Sequence, residues 1–282
     1  METTIVTPLF FPMGIPLEAG YRNSRVSTPV GPHAHNGAEV YFTLTALPDV
    51  LLGDQVFAVP ADTLIIIPPF CVHQLYHEAN VIYERYIINL EDNWLKTALF
   101  DLSDALPCLF QDAQPALITV NEAQKKELTD QFRKLLSYSR LTEPLALACF
   151  FTALDLMTNI VSANSAKSAP PVTESQKKVN KIISYIQEHV RENLSISDLA
   201  EHFYLNPDYL ARLFKQHTHV TVGHYIALQR ITTAQSLLRE GKTVNFVSEE
   251  LGFSSYAYFF KTFQKITGIS PSKYRALYRN VN

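Results

Sequence analysis

The chain has 282 residues, 47% of them apolar and 18% charged, with a net charge of −3. That length suggests two domains, and the balance is that of a globular protein with real cores, which excludes a disordered or fibrous chain. Three scattered cysteines (Cys71, Cys108, Cys149) include no Cys-x-x-Cys pair, which argues against a disulfide frame or a structural zinc site.

A reducing compartment suits those cysteines, so a cytoplasmic protein is expected. The start, Met1-Glu2-Thr3-Thr4, lacks the basic-then-apolar pattern of a signal peptide. No apolar run in the sequence approaches the roughly 20 residues of a membrane helix, so no membrane partner is expected.

Residues 24–90 are strand-like. Val40-Tyr41-Phe42-Thr43-Leu44 is aromatic and β-branched. Val50-Leu51-Leu52 and Gln55-Val56-Phe57 flank Gly53-Asp54, a turn pair suited to a hairpin. Leu64-Ile65-Ile66-Ile67 is continuously apolar and stops at Pro68-Pro69, as expected of a strand buried on both faces. Short strands at this spacing predict a small barrel or sandwich. Within the stretch stand His33-x-His35-x-x-x-Glu39 and, further on, His73. Alternating histidines on one strand share a face, and a carboxylate with a third histidine completes an N/O donor set.

Between residues 121 and 160 the apolar period becomes helical. Leu128, Phe132, Leu135 and Leu136 form one stripe, and a second run from 145 to 160 follows the break at Glu143-Pro144. An αα-hairpin is predicted, with a stripe that can pack on the barrel or on a second copy. Pairing into a homodimer is favoured, because linking two copies joins their binding sites. Residues 162–172 are small, polar and proline-containing and read as a linker. The expected division is 1–162, a linker at 163–176, and 177–282.

Charge follows that division. Residues 177–282 hold 14 Lys+Arg against 8 Asp+Glu, whereas the preceding part holds 10 against 19. Such asymmetry assigns phosphate contact to the second part alone. Val179, Ile182, Ile183 and Ile186 mark its first helix, and Ser197 is the expected N-cap of the next. A long helix over 221–239 turns Ile226, Ile231, Ala234 and Leu238 inward and ends near Gly241.

Around that helix one device occurs twice. Ser197-Asp198-Leu199-Ala200-Glu201-His202-Phe203, a turn, and residues 207–215 form the first copy. Residues 244–251, the turn Gly252-Phe253-Ser254, and residues 255–265 form the second. Each reads as a helix-turn-helix, whose second helix enters the major groove of double-stranded DNA.

In the first copy Leu210, Leu213 and Phe214 face inward, leaving Asp208, Ala211, Arg212 and Lys215 outward. Arginine can bond guanine O6 and N7 together, alanine can meet a thymine methyl, and aspartate can accept from cytosine N4. Lys215 suits a phosphate. In the second copy Phe259, Phe263 and Ile266 face inward, and Tyr256, Ala257, Phe260 and Lys261 outward. Phe260 either packs on thymine methyls or covers part of the domain.

The run Tyr209-Leu210-Ala211-Arg212-Leu213-Phe214-Lys215, residues 252–263, and Gly268-Ile269-Ser270-Pro271-Ser272-Lys273-Tyr274-Arg275 resemble the DNA-binding domain of AraC/XylS transcription regulators. The resemblance covers about a hundred residues and implies seven helices with two recognition helices in adjacent major grooves. Tyr204 departs from it where glycine is frequent, and Phe260 and Lys261 where a small residue and an arginine are frequent. Residues 25–90 resemble, less closely, a cupin barrel of the AraC sugar-sensing type. Asp62 fits that pattern, and Ala61 replaces its frequent glycine.

The resemblance implies an α+β chain with a cupin-like β-barrel and αα-hairpin, then an all-α domain with two helix-turn-helix units. It further implies a small-molecule effector, a sugar, held by His33, His35, Glu39, Tyr41, His73, Tyr83 and Trp94, with no metal or cofactor. Tyr86 is a further candidate to stack on the ring. RNA polymerase is a further partner open to such a regulator. Two rivals stand: a metal-dependent cupin enzyme fused to a DNA-binding domain, and a regulator whose barrel serves only for assembly.

Overall fold

The computed structural model describes residues 17–24, 32–35, 37–76, 81–91, 115–138, 143–164 and 172–278. Its first part is β-rich and its second helical. The strands are β1 (Leu17–Ser24), β2 (Gly37–Thr43), β3 (Leu47–Leu52), β4 (Gln55–Val59), β5 (Thr63–Ile67), β6 (His73–Tyr76), β7 (Tyr83–Glu91) and β8 (Ala116–Thr119). They form a five-stranded sheet ordered β1-β7-β2-β5-β8 and a three-stranded sheet ordered β4-β3-β6.

The hairpin expected at Gly53-Asp54 joins β3 to β4, and Gly53 takes φ +59° there. All five residues of β5 are buried, because both faces of its sheet are covered. Leu64 and Ile66 pack with Val40, Phe42 and Ile88 under two helices, α1 (Glu122–Leu136) and α2 (Pro144–Asn164). Ile65 and Ile67 pack with Val50, Leu52 and Phe57 of the smaller sheet. A strand between two apolar layers has no polar face to alternate, which is why its sequence is an unbroken apolar run.

The hairpin stripe stays within the chain: Leu128, Phe132, Leu135, Phe150, Ala153, Leu154, Met157 and Ile160 all join the core over the large sheet. The buried part of the stripe therefore packs on the chain's own large sheet, while Leu145 at the start of the second run stays exposed. Helix α2 is also long and apolar enough to cross a membrane by length and composition, contrary to expectation. The helix includes the polar Asp155 and Asn159 and extends to Asn164, and many of its apolar residues are buried in the core over the large sheet.

The helical part comprises α3 (Glu174–Glu188), α4 (Ile196–His202), α5 (Pro207–Thr218), α6 (Val222–Arg239), α7 (Val244–Glu250), α8 (Tyr256–Thr267) and α9 (Pro271–Tyr278). Helix α2 runs through Asn164 and α3 starts at Glu174, so residues 163–176 are helical at both ends. The cap of α4 is Ser195, not Ser197: its hydroxyl accepts from Asp198 N–H at 3.2 Å while Asp198 accepts from Ser195 N–H at 2.8 Å. A carboxylate three residues on completes a capping box for Ser195, whereas Ser197 has Ala200 there.

The repeat extends to caps and bridges. Helix α5 is capped by Asn206 and closed by a left-handed His219 (φ +56°); α8 is capped by Ser255 and closed by a left-handed Gly268 (φ +75°). Thr218 donates to Phe214 O at 2.8 Å and Val220 O at 3.2 Å. Thr267 donates to Phe263 O at 2.8 Å and Ile269 O at 3.0 Å. Tyr225 and Tyr274, both fully buried, follow at matching places. Helix α6 lies between the copies, with Ile226, Ile231, Ala234 and Leu238 buried as expected. Its Arg230 donates to Val190 O (3.1 Å) and Glu192 O (2.6 Å), tying the helix to the α3–α4 connection.

Candidate DNA-reading face and sensor site

Helix α5 is positioned by Leu210, Leu213 and Phe214, all buried. That inward stripe leaves Asp208, Arg212 and Lys215 exposed, with Ala211 half-buried between them. These four side chains line one concave surface with Ser195, Ile196, Thr221, Val222 and Gly223. The first turn of α6 was not singled out from sequence, although Thr221, its N-cap, was a readable signal. It brings helix N-terminal N–H groups beside Arg212 and Lys215, chemistry that suits phosphate.

In α8, Phe259 and Phe263 are buried, Ile266 is half-buried, and Tyr256, Ala257 and Lys261 are exposed. Phe260 is half-buried, its ring 6.4 Å from that of Tyr256. One side of the ring thus covers the domain while the other faces outward. Tyr204, in the turn of the first copy, is 97% exposed and takes φ +54°. A left-handed tyrosine is uncommon, and it occupies the place where glycine was expected.

The second cluster lies at one end of the space between the sheets. Glu39 and Tyr41 point to the same side of β2, toward the smaller sheet. Residues 33 and 73 form an antiparallel bridge with N–O distances of 3.0 and 2.8 Å. His35 Nε2 lies 3.0 Å from Glu39 Oε1, and His73 Nε2 lies 3.2 Å from Glu39 Oε2. Tyr41 donates to Glu39 Oε2 at 2.8 Å. The rings of His33 and His73 are 4.3 Å apart, centre to centre.

Burial alone would push the Glu39 carboxyl up. His35 and His73 outweigh it and hold Glu39 well below the usual carboxylate range. Burial, then the neighbouring Glu39, pushes the Tyr41 hydroxyl well above its usual range. Burial also raises Tyr83, over whose ring Arg85 stands at 4.1 Å.

The structure therefore brings His33, His35, Glu39, Tyr41 and His73 together. Tyr83 borders the same inter-sheet core. Tyr86 does not: it packs with Phe42 and Phe132 on the helix side. Trp94 lies outside the described residues. Asp62, left-handed at φ +58°, pairs with Lys125 of α1 at 2.8 Å, a link between barrel and hairpin.

Donor nitrogens of His33, His35 and His73 lie within 4.8 Å of one another, a spacing from which an ion could be gathered. The hydrogen bonds of His35 and His73 set the orientation of both rings. His35 Nδ1 accepts from Gly37 N–H at 3.3 Å, which places the ring proton on Nε2, facing Glu39. His73 Nδ1 faces Cys71 O at 2.9 Å. With its proton on Nε2, His35 is set to donate to Glu39, an arrangement that suits a hydrogen-bonding site.

Residues 14–154 match the family model of an AraC-like ligand binding domain, and residues 199–277 match that of a helix-turn-helix domain. The chain belongs to the AraC family of transcription regulators. The arabinose operon regulatory protein of Escherichia coli (strain K12) is 25% identical over 93% of this chain and 87% of its own length. The melibiose operon regulatory protein of the same strain is 34% identical over 36% of this chain and 34% of its own. The solved structure of ToxT from Vibrio cholerae O395 aligns over 94% of this chain and 99% of its own, at 13% identity and a TM-score of 0.39. As an AraC-type regulator, the chain joins a ligand-binding part to a DNA-binding part.

Proposed function

We propose that this regulator senses a sugar in its N-terminal part and reads DNA with α5 and α8. The observation that carries the DNA half is the open face of α5, where Arg212 stands exposed on a helix held by three buried apolar residues. The buried His35–Glu39–His73–Tyr41 network supports the effector half, since imidazole, carboxylate and phenol groups suit sugar hydroxyls. The arabinose and melibiose regulators among its relatives support the same class of effector.

In this reading the sensor unit takes residues 1–162 and the DNA-binding unit 177–282. Two copies associate through the outer side of α2, where Leu145 is 68% exposed and Leu147 and Phe151 are half-buried. Because the outward faces of α5 and α8 differ, the two copies of the motif read different half-sites. The barrel performs no catalysis, the regulator acts in the cytoplasm, and RNA polymerase is its further partner.

Arg212→Ala should cost about 1–3 kcal/mol of operator affinity and relax preference at one base pair. A gel-shift titration against a panel of single-base operator variants measures both. Unchanged affinity and specificity would remove Arg212 as a base reader. For the effector, a thermal-shift screen of the full chain with pentoses, hexoses and short oligosaccharides should give at least one stabilising sugar. No shift with any of them, beside a shift with another metabolite, would overturn the sugar assignment.

The enzyme reading keeps one observation in its favour, the three clustered histidine nitrogens. Stoichiometric iron, manganese or zinc in the purified protein, lost in His35→Ala, would decide for it.

A further inference from the structure

The strand segments that carry the histidines have two sides. His33, His35 and His73 turn toward Glu39. Between and beside them, Ala34 and Val72 turn the other way, as alternation along extended chain requires. Both are buried, 6% and 3% exposed, in one apolar cluster with Val179, Ile182, Ile183 and Ile186 of α3 and Leu210, Leu213 and Phe214 of α5. Leu51 and Val56 of the smaller sheet join them. The back of the histidine site is thus part of the core that seats the first recognition helix.

Polar contacts surround that apolar centre. The side-chain amide of Asn180 accepts from Val56 N–H at 2.7 Å and donates to Val56 O at 3.3 Å, closing the free edge of β4. Asp49 accepts from Gln176 at 3.0 Å and lies 2.9 Å from His217 Nδ1. Tyr76 stacks on His219 at 3.5 Å, and Arg239 stands 3.5 Å over Phe70.

Backbone bonds run from the histidines to these contacts. Phe70 N–H donates to His35 O at 2.7 Å, and Gly53 N–H donates to Val72 O at 2.7 Å. The carbonyl of the same Gly53 accepts from Gln187 (3.3 Å) and Tyr225 (3.4 Å) of the DNA-binding part. A shift of the main chain at His35, or at Val72 beside His73, is therefore passed to Phe70 or Gly53, on which Arg239, Gln187 and Tyr225 rest.

We propose that the histidine site and the dock for the DNA-binding part are two faces of one wall, so that a rearrangement of the histidines changes how firmly α3 and α5 are held. This rests on the reading of the cluster as the sensor site and gives the route by which its state reaches the DNA-reading helix. A ligand moves this equilibrium only by the difference in its affinity for the docked and undocked arrangements.

The test is amide hydrogen exchange on the full chain, without effector. Asn180→Ala weakens the dock from outside, and His73→Gln alters the wall from inside. Each should speed exchange about ten-fold in peptides covering 55–59 and 179–187, which report local opening of the interface. Faster exchange of the same peptides in both variants places the two changes on one opening. Wild-type exchange there in Asn180→Ala would show that the dock is not held in solution. Faster exchange in Asn180→Ala with none in His73→Gln would show that site and dock are independent.

Should His73→Gln unfold the barrel, Tyr41→Phe serves in its place, removing one bond to Glu39 while leaving 33–35 and 71–73 intact. The same outcomes then decide. No sugar enters the experiment, so a barrel that senses another molecule leaves its result standing.

Discussion

Glu39→Ala should destabilise the protein by about 3–5 kcal/mol, the loss typical when one partner of a buried charge pair is removed. Glu39 is 2% exposed, and its carboxylate faces His35, His73 and Tyr41. Alanine would leave those three groups facing a void too polar to stay dry. Urea unfolding of the full chain, followed by a probe in the β-rich part, measures the change. Glu39→Gln should cost less, because the amide oxygen can still accept from Tyr41.

The sign with pH follows from the depressed carboxyl of Glu39. Its stabilisation is complete above the unfolded value near 4.5 and is lost as pH falls toward the lower folded value. Stability of the wild type should therefore decline below about pH 4.5, and Glu39→Gln should flatten that decline. An equal acid slope in both proteins would show that Glu39 does not carry the ion pair assigned to it.

Gly252→Ala should weaken the second motif while the same change at Gly223 in α6 does not. Gly252 takes φ +61°, and a Cβ there would stand 2.8 Å from the backbone oxygen of Arg191 and 3.4 Å from the Arg230 guanidinium. The left-handed backbone alone costs about 1–3 kcal/mol for a residue with a side chain. The Arg191 oxygen belongs to fixed main chain, so the clash adds to that.

The position matters beyond stability. Gly252 lies where the turn between α7 and α8 meets the connection between α3 and α4. Arg191 pairs with Glu250 across the same junction at 2.6 Å. Displacing it should tilt one recognition helix against the other and lower affinity for operators carrying both half-sites more than for either alone. Thermal melts and gel shifts on the two operator types read these effects. Gly223→Ala is the control for stability. Its Cβ would meet nothing within 4 Å, and alanine in a helix gains about 0.5–1 kcal/mol over glycine. A melt unchanged by Gly252→Ala would show that the turn tolerates a side chain.

Much of the helical part was legible because its signals are local. Leu210, Leu213 and Phe214 mark the buried face of α5 at a spacing of three and four, and Gly241 and Gly252 sit where the chain needs positive φ. Two serines stand at the start of α4, Ser195 just before it and Ser197 within its first turn, and only the reciprocal bond with Asp198 marks Ser195 as the cap.

Helix α2 shows the opposite case. It is apolar nearly all round, so its stripe could be assigned to the barrel or to another subunit, and the large sheet took it. Tyr41, Tyr83 and Tyr86 likewise carry no mark of their destination. Strand register sent the first two toward the smaller sheet and Tyr86 toward Phe132.

Local pattern was sufficient for the paired motif, the outward residues Asp208, Arg212 and Lys215, the hairpin at Gly53-Asp54 and the doubly buried β5. Each depends on neighbours within a turn or two of chain, where periodicity and capping chemistry act. Tertiary structure alone decided that His33 meets His73, that Asn180 closes the edge of β4, and that Ala34 and Val72 back the histidines against α3. Those contacts join residues tens to more than a hundred positions apart. Their partners are chosen by sheet register and by which apolar faces remain uncovered, and no local spacing encodes either.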